Sequence, residues 1–160
     1  MIDDLLNKKA PLFTLKNQHG EKVALKDFIG KRVLLYFYPK AMTPGCTCQA
    51  QGIRDYQKEW AKRDVVVLAI SPDSPERLQK FVEKESLNFL LLSDEDHAVA
   101  EKYFSYGKKK LYGKEYMGFL RQSFIIGEDG KIKKILPKVN TKTHHEDLLK
   151  IFDQIGKIAE

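Results

Sequence analysis

The sequence predicts an α/β protein with a mixed central sheet, helices on both faces and a hairpin at the amino-terminal edge. Three observations carry this. Val33 to Tyr38 and Val65 to Ile70 are apolar at consecutive positions, as in strands covered on both faces. Between such runs lie segments with apolar residues at helical spacing. At each end of the chain, short alternating segments flank a polar turn containing glycine.

The elements follow in order. Phe13 to Leu15 and Val23 to Leu25 flank Asn17-Gln18-His19-Gly20 and read as an edge hairpin. Arg32 to Tyr38 is the first buried strand, ended by Pro39. Residues 46 to 62 read as a helix, with Ile53, Tyr56 and Trp60 on one face. Val65 to Ile70 is the second buried strand. Ser74-Pro75 then opens a helix with an N-cap and a proline at the first helical position, lined by Leu78, Phe81 and Val82. Phe89 to Leu92 reads as a third strand and Asp96 to Phe104 as a short helix, with His97 at its start facing solvent. Residues 105 to 120 carry Gly107, Gly113 and Gly118 and read as a long loop. Ser123 to Ile126 and Lys131 to Leu136 flank Glu128-Asp129-Gly130 as an antiparallel hairpin. Thr143-His144-His145-Glu146 has the form of a capping box opening the last helix, with Leu148, Phe152, Ile155 and Ala159 facing inward. This layout matches a thioredoxin-like three-layer sandwich formed by one domain over 1–160. No Gly-x-Gly-x-x-Gly follows the first buried strand, which argues against a dinucleotide fold.

Composition narrows the function class. The chain has 160 residues, 42% apolar and 31% charged, enough for a core without disulfide or metal staples. The two cysteines are two positions apart, so a secreted disulfide scaffold is excluded. The longest apolar runs are too short to cross a bilayer, and Met1-Ile2-Asp3-Asp4 does not resemble a signal peptide. The expectation is a cytoplasmic protein with no membrane partner. The net charge is +6, but Lys108-Lys109-Lys110 is the one tight basic cluster, and Lys131, Lys133 and Lys134 read as a solvated strand face. No nucleic-acid partner is expected.

The chemistry gathers in Tyr38-Pro39-Lys40-Ala41-Met42-Thr43-Pro44-Gly45-Cys46-Thr47-Cys48. A buried strand ends, a proline-punctuated loop follows, and Cys46 arrives where a helix starts. Reacting groups collect at the carboxyl ends of strands in such sheets. The free N–H groups and partial positive charge of a helix amino terminus stabilise a thiolate there. The effect is bounded: moving a thiol from about 8.5 to about 6 raises the ionised share at neutral pH by about 30-fold. A fast enzyme also needs donors that hold the electrophile and the departing charge.

Pro39-x-x-x-Thr43-x-x-Cys46 resembles the peroxiredoxin active-site pattern. The longer string from Tyr36 through Thr47 is similar to the bacterioferritin comigratory protein (peroxiredoxin Q) subfamily, as are Leu91 to His97 and Arg121-Gln122-Ser123-Phe124. The resemblance implies a thiol-dependent peroxidase of antioxidant function, with no cofactor and no metal. It implies that Cys46 attacks the peroxide and becomes a sulfenic acid. Thr43 would set its hydroxyl against thiolate and peroxide, and Pro39 would shield the site. Arg121 would orient both with its donor fork, and the backbone near Gly45 and Cys46 would bind the peroxide. The reductant would be thioredoxin, glutaredoxin or a small thiol, and the protein a monomer.

One departure bears on turnover. Many members carry a resolving cysteine five residues after the peroxidatic one, where this chain has Gln51, and Cys48 appears instead. Residues two apart on a helix point about 200° away from each other, so a Cys46–Cys48 disulfide requires the first turn to unwind. Three readings stay open: a thiol from another molecule resolves Cys46, Cys48 does so after local unfolding, or Gln51 is an introduced replacement. Two other functions compete. A thiol–disulfide oxidoreductase usually carries Cys-x-x-Cys, against Cys-x-Cys here. A soft-metal carrier would bind through Cys46 and Cys48, with His144 and His145 as weak candidates for further ligands.

Overall fold

The computed structural model describes residues 1–159. The side chains of 156–159, and with them the expected inward face of Ala159, lie outside the described residues. In chain order the strands are β1 (Thr14–Asn17), β2 (Lys22–Ala24), β3 (Arg32–Phe37), β4 (Val65–Ser71), β5 (Leu90–Ser93), β6 (Tyr106–Leu111), β7 (Lys114–Phe119), β8 (Gln122–Ile126) and β9 (Ile132–Leu136). The helices are α1 (Pro44–Asp55), α2 (Gln57–Lys62), α3 (Pro75–Glu85), α4 (Ala98–Lys102) and α5 (His144–Ala159). The main sheet runs β2-β1-β5-β4-β3-β8-β9, with β6 and β7 as a separate two-stranded ribbon.

The consecutive apolar residues of β3 serve two faces because successive side chains alternate. Leu34 and Tyr36 join Ile53, Trp60, Leu78, Phe81, Leu148 and Phe152 under α1, α2, α3 and α5. Val33, Leu35 and Phe37 join Val99, Ala100, Tyr103 and Phe124 on the side of α4. Each such Val, Leu, Ile or Phe side chain contributes about 1.5–3 kcal/mol on burial. The three layers follow from this division.

Register positions the site. β3 pairs β4 in parallel from Arg32↔Val65 to Phe37↔Ile70, and pairs β8 antiparallel from Val33↔Ile126 to Phe37↔Gln122. The carboxyl end of β3 and the amino end of β8 therefore share one edge of the sheet, where α1 begins.

Several sequence expectations need correction. Residues 105–120 are not a long loop: β6 and β7 pair from Tyr106↔Phe119 to Leu111↔Lys114, around Tyr112 and Gly113 at positive φ. The tip glycine marks a hairpin turn, which the scattered glycines obscured. The helix expected over 46–62 breaks at Tyr56 into α1 and α2, and the Trp60 indole N–H donates to the Ile53 carbonyl at 3.0 Å across the break. The short helix expected over 96–104 spans only α4, anchored by Asp94, whose carboxylate accepts from Val99 N (3.2 Å) and Ala100 N (2.9 Å). His97 is half-buried, with its ring stacked on Tyr106 at 4.0 Å. The Thr143 hydroxyl donates to the Asp147 carboxylate at 3.0 Å rather than capping through its oxygen, and His144 turns into the core. The expected cap at Ser74 holds, its oxygen accepting from Arg77 N at 3.3 Å.

Candidate active site

The loop from Pro39 to Thr43 crosses from β3 to α1 under constraint. Met42 has φ 65°, a left-handed conformation that costs a non-glycine residue about 1–2 kcal/mol. Asp73 and Arg77 hold the loop in place. The Asp73 carboxylate accepts from Ala41 N and Ser71 Oγ, each at 2.8 Å, and pairs with Arg77 Nε at 2.9 Å. Arg77 Nη2 in turn donates to the Ala41 carbonyl at 3.2 Å. Thr43 is the N-cap residue of α1 and Pro44 its first helical residue, a position where a missing N–H costs nothing. Thr47 N donates to the Thr43 carbonyl at 2.8 Å, so the amides of Gly45 and Cys46 precede the helical ladder.

Cys46 therefore lies in the first turn of α1 and is 2% exposed. Arg121, just before β8, brings Nη2 to 3.4 Å from its sulfur and donates from Nη1 to Gln49 Oε1 at 2.6 Å. The guanidinium passes over Gly45, where an added Cβ would stand 3.4 Å from Nη2. The site thus brings together Cys46, Gly45 and Arg121. Thr43 stands at the cap, but its hydroxyl donates to the Lys40 carbonyl at 2.8 Å and leaves its oxygen lone pairs free to accept. Pro39 is half-buried and lines a cleft of about 280 Å³ with Tyr106, Lys109, Tyr116, Met117 and Phe119. Cys48 faces elsewhere, its sulfur 3.7 Å from the Thr141 carbonyl. Gln51 donates to Glu85 at 3.1 Å.

The motif gives no hint of four further residues near the site. Gln49 is fully buried, and its Nε2 lies 3.1 Å from His144 Nδ1. His144 Nε2 lies 2.8 Å from Ser123 Oγ. Burial pushes His144 down to about 3, with His145 and Arg121 adding to the effect, so the ring is neutral at pH 7. Lys109, from the ribbon, donates from Nζ to the Phe119 carbonyl at 2.9 Å. Burial lowers its ammonium pKa, as does Arg121, while Cys46 opposes the shift. Spacing could have flagged two of these: Gln49 is one turn after Cys46 on α1, and Ser123 shares a strand face with Arg121. Tyr36 lines the same wall, its ring edge-on to His144 at 5.4 Å, and burial raises its phenol pKa, helped by Cys46.

This arrangement can hold negative charge on a sulfur and offer N–H donors to an oxygen arriving beside it. Among the described residues, no group of three His, Cys, Asp or Glu side chains converges as a metal site would require. None of the described helices is long and apolar enough to cross a membrane.

Residues 6–135 match the AhpC/TSA family. Peroxiredoxin Bcp of Escherichia coli K12 is 55% identical over 140 residues, covering 88% of this chain and 90% of that protein. Peroxiredoxin Bcp of Bacillus subtilis is 46% identical over 152 residues, covering 95% and 97%. Among solved structures, the bacterioferritin comigratory protein of Xanthomonas campestris, studied for its alkyl peroxide reduction activity, superposes with a TM-score of 0.84 at 27% identity, covering 89% of this chain and 90% of that one.

Proposed function

The chain belongs to the AhpC/TSA family and is a thiol-dependent peroxidase of thioredoxin-like fold; from that premise we propose that Cys46 is its peroxidatic residue. Peroxide and a reducing thiol are its reactants. The single observation that carries the assignment is Arg121 Nη2 at 3.4 Å from a Cys46 sulfur in the first turn of α1. The helix terminus and the guanidinium both place positive potential at that sulfur.

In the reaction, the Cys46 thiolate attacks one peroxide oxygen. The S–O bond forms as the O–O bond breaks, and the electron pair leaves with the second oxygen, which takes a proton to depart as water or an alcohol. Arg121 spans the sulfur and the incoming oxygens, while the Gly45 and Cys46 amides donate to the peroxide. The Thr43 oxygen accepts the hydrogen of the hydroperoxide, and Pro39 keeps bulk water from the sulfur. Cys46 is left as a sulfenic acid. A reductant thiolate attacks its sulfur and expels the oxygen as water. A second thiol then cleaves the mixed disulfide and restores Cys46.

Hydrogen peroxide and organic hydroperoxides are the substrates in this reading. Thioredoxin, glutaredoxin or a small thiol is the reductant, and the enzyme acts as a cytoplasmic monomer of one domain. The competing oxidoreductase and metal-carrier functions are not favoured, since the chain's relatives are peroxiredoxins. A coupled peroxidase assay with several reductants tests the assignment. Cys46→Ser should abolish turnover with all of them; residual turnover in that variant sinks it. Loss with Cys48→Ser as well identifies an internal resolver, and its retention an external one.

A further inference from the structure

His144 lies outside the motif, yet a continuous line of polar contacts joins it to the reacting sulfur. Cys46 Sγ, Arg121, Gln49, His144 and Ser123 follow one another at 3.4, 2.6, 3.1 and 2.8 Å. Gln49 and Ser123 are fully buried and His144 is 1% exposed, so the two contacts of His144 are shielded from water, while Arg121 is half-buried.

Donor arithmetic fixes the direction of the chain. A guanidinium has only donors, so the Gln49 atom facing Arg121 must be the carbonyl oxygen. The amide nitrogen then points at His144 Nδ1, which must accept. Nδ1 is therefore unprotonated, Nε2 carries the hydrogen, and Ser123 Oγ receives it. One tautomer of a neutral ring satisfies every contact. An imidazolium, or the other tautomer, would set N–H against N–H at Gln49.

We propose that His144 is a positioning residue for peroxide reduction: by accepting from the buried Gln49 NH2 group it pins that side chain, and so holds the Arg121 fork at the Cys46 sulfur. The inference rests on the roles assigned above to Cys46 and Arg121. Without an acceptor at this place, the buried Gln49 NH2 group is left unpaired, and the side chain must shift toward another partner, drawing its carbonyl oxygen away from the guanidinium. Arg121 then loses its 2.6 Å anchor and its alignment, and misplacements of this kind cost large factors in rate.

The test compares three variants by single-turnover oxidation of Cys46 with hydrogen peroxide, following urea denaturation in parallel. His144→Leu removes the acceptor and should slow oxidation by about tenfold or more. His144→Asn keeps an oxygen near the Nδ1 position and should recover most of the rate, even if both variants lose similar stability. A folded His144→Leu protein that oxidises at the wild-type rate overturns the proposal, as does an Asn variant no faster than the Leu variant. If neither variant folds, 15N NMR of the wild-type ring decides: Nδ1 bare and Nε2 protonated supports the proposal, and the reverse overturns it. Arg121→Ala separates the two levels. A wild-type rate there sinks the underlying assignment, whereas a slow Arg121 variant beside a normal His144→Leu variant sinks this inference alone.

Discussion

Arg121 holds Cys46 and Gln49 in one grip: Nη2 is 3.4 Å from the sulfur and Nη1 is 2.6 Å from the amide oxygen, and the two targets lie one turn apart on α1. A planar fork can reach both, whereas a lysine ammonium is a single point on a flexible stem. Arg121→Lys should therefore retain the charge and lose the geometry. The expected outcome is a fall in the oxidation rate of Cys46 of about a hundredfold, measured by stopped-flow with excess peroxide. A loss of less than about threefold would mean that charge alone suffices and that the fork has no special role.

Gly52 makes a packing prediction. On α1, its missing Cβ leaves room for the His145 ring of α5. An added Cβ would fall 2.8 Å from Cε1 and 2.9 Å from Cγ, well inside contact distance. The same ring stands edge-on to Tyr56 at 4.7 Å and has little freedom to yield. Gly52→Ala should cost about 1–3 kcal/mol by overpacking, despite alanine's better helix propensity. Urea denaturation checks this, and a stabilised variant would show that α5 shifts freely. Because His144 is the next residue, the variant should also slow Cys46 oxidation.

How far the sequence alone leads depends on whether a residue acts locally or across elements. β3 and β4 were legible because burial on both faces writes itself as consecutive apolar residues. Ser74-Pro75 was legible because a cap is a local device, and the place of Cys46 at the start of a helix because a strand, a proline loop and a helix start are contiguous. The β6–β7 ribbon was not: of its residues from 111 to 117 all are exposed, so no apolar alternation marks it. Gln49, Ser123 and His144 come from three elements and meet only through the β3–β8 register and the packing of α5 on α1. His144 was further disguised by a Thr143 pattern that reads as a capping box, although that hydroxyl bonds Asp147 instead.

Acid should weaken the fold through His144. Burial holds its folded pKa at about 3, with help from His145 and Arg121, against about 6.5 in the unfolded chain. Below 6.5 the unfolded state binds the proton and the folded state does not. Stability is thus full above 6.5 and declines as pH falls toward 3. At pH 5 the loss from this one group is about 2 kcal/mol relative to neutral pH. Urea midpoints at pH 7 and pH 5 should differ by more in wild type than in His144→Asn. Equal differences would show that other groups carry the acid sensitivity.

Resolution is where this chain departs from the pattern that its subfamily resemblance implies. Five residues after Cys46 stands Gln51, engaged with Glu85 at 3.1 Å, and the Cys48 sulfur rests against the Thr141 carbonyl at 3.7 Å. For Cys48 to reach Cys46, the first turn of α1 must unwind, which strips the sulfur of its Arg121 contact. An external thiol instead needs access to a 2% exposed sulfur. Either route leaves the sulfenic acid waiting beside peroxide, so further oxidation should compete. Intact mass after graded peroxide, without reductant, should show a gain of about 32 Da, the sulfinic acid, growing with dose. A protein that instead loses about 2 Da and resists further oxidation would identify a Cys46–Cys48 disulfide. Gln51→Cys sharpens the comparison, since it puts a thiol where the resemblance implies a resolving cysteine. It should suppress the gain of about 32 Da in favour of the disulfide mass if the missing thiol is what exposes Cys46. If the variant over-oxidises as readily as wild type, unwinding of α1, and not the lack of a partner, limits resolution.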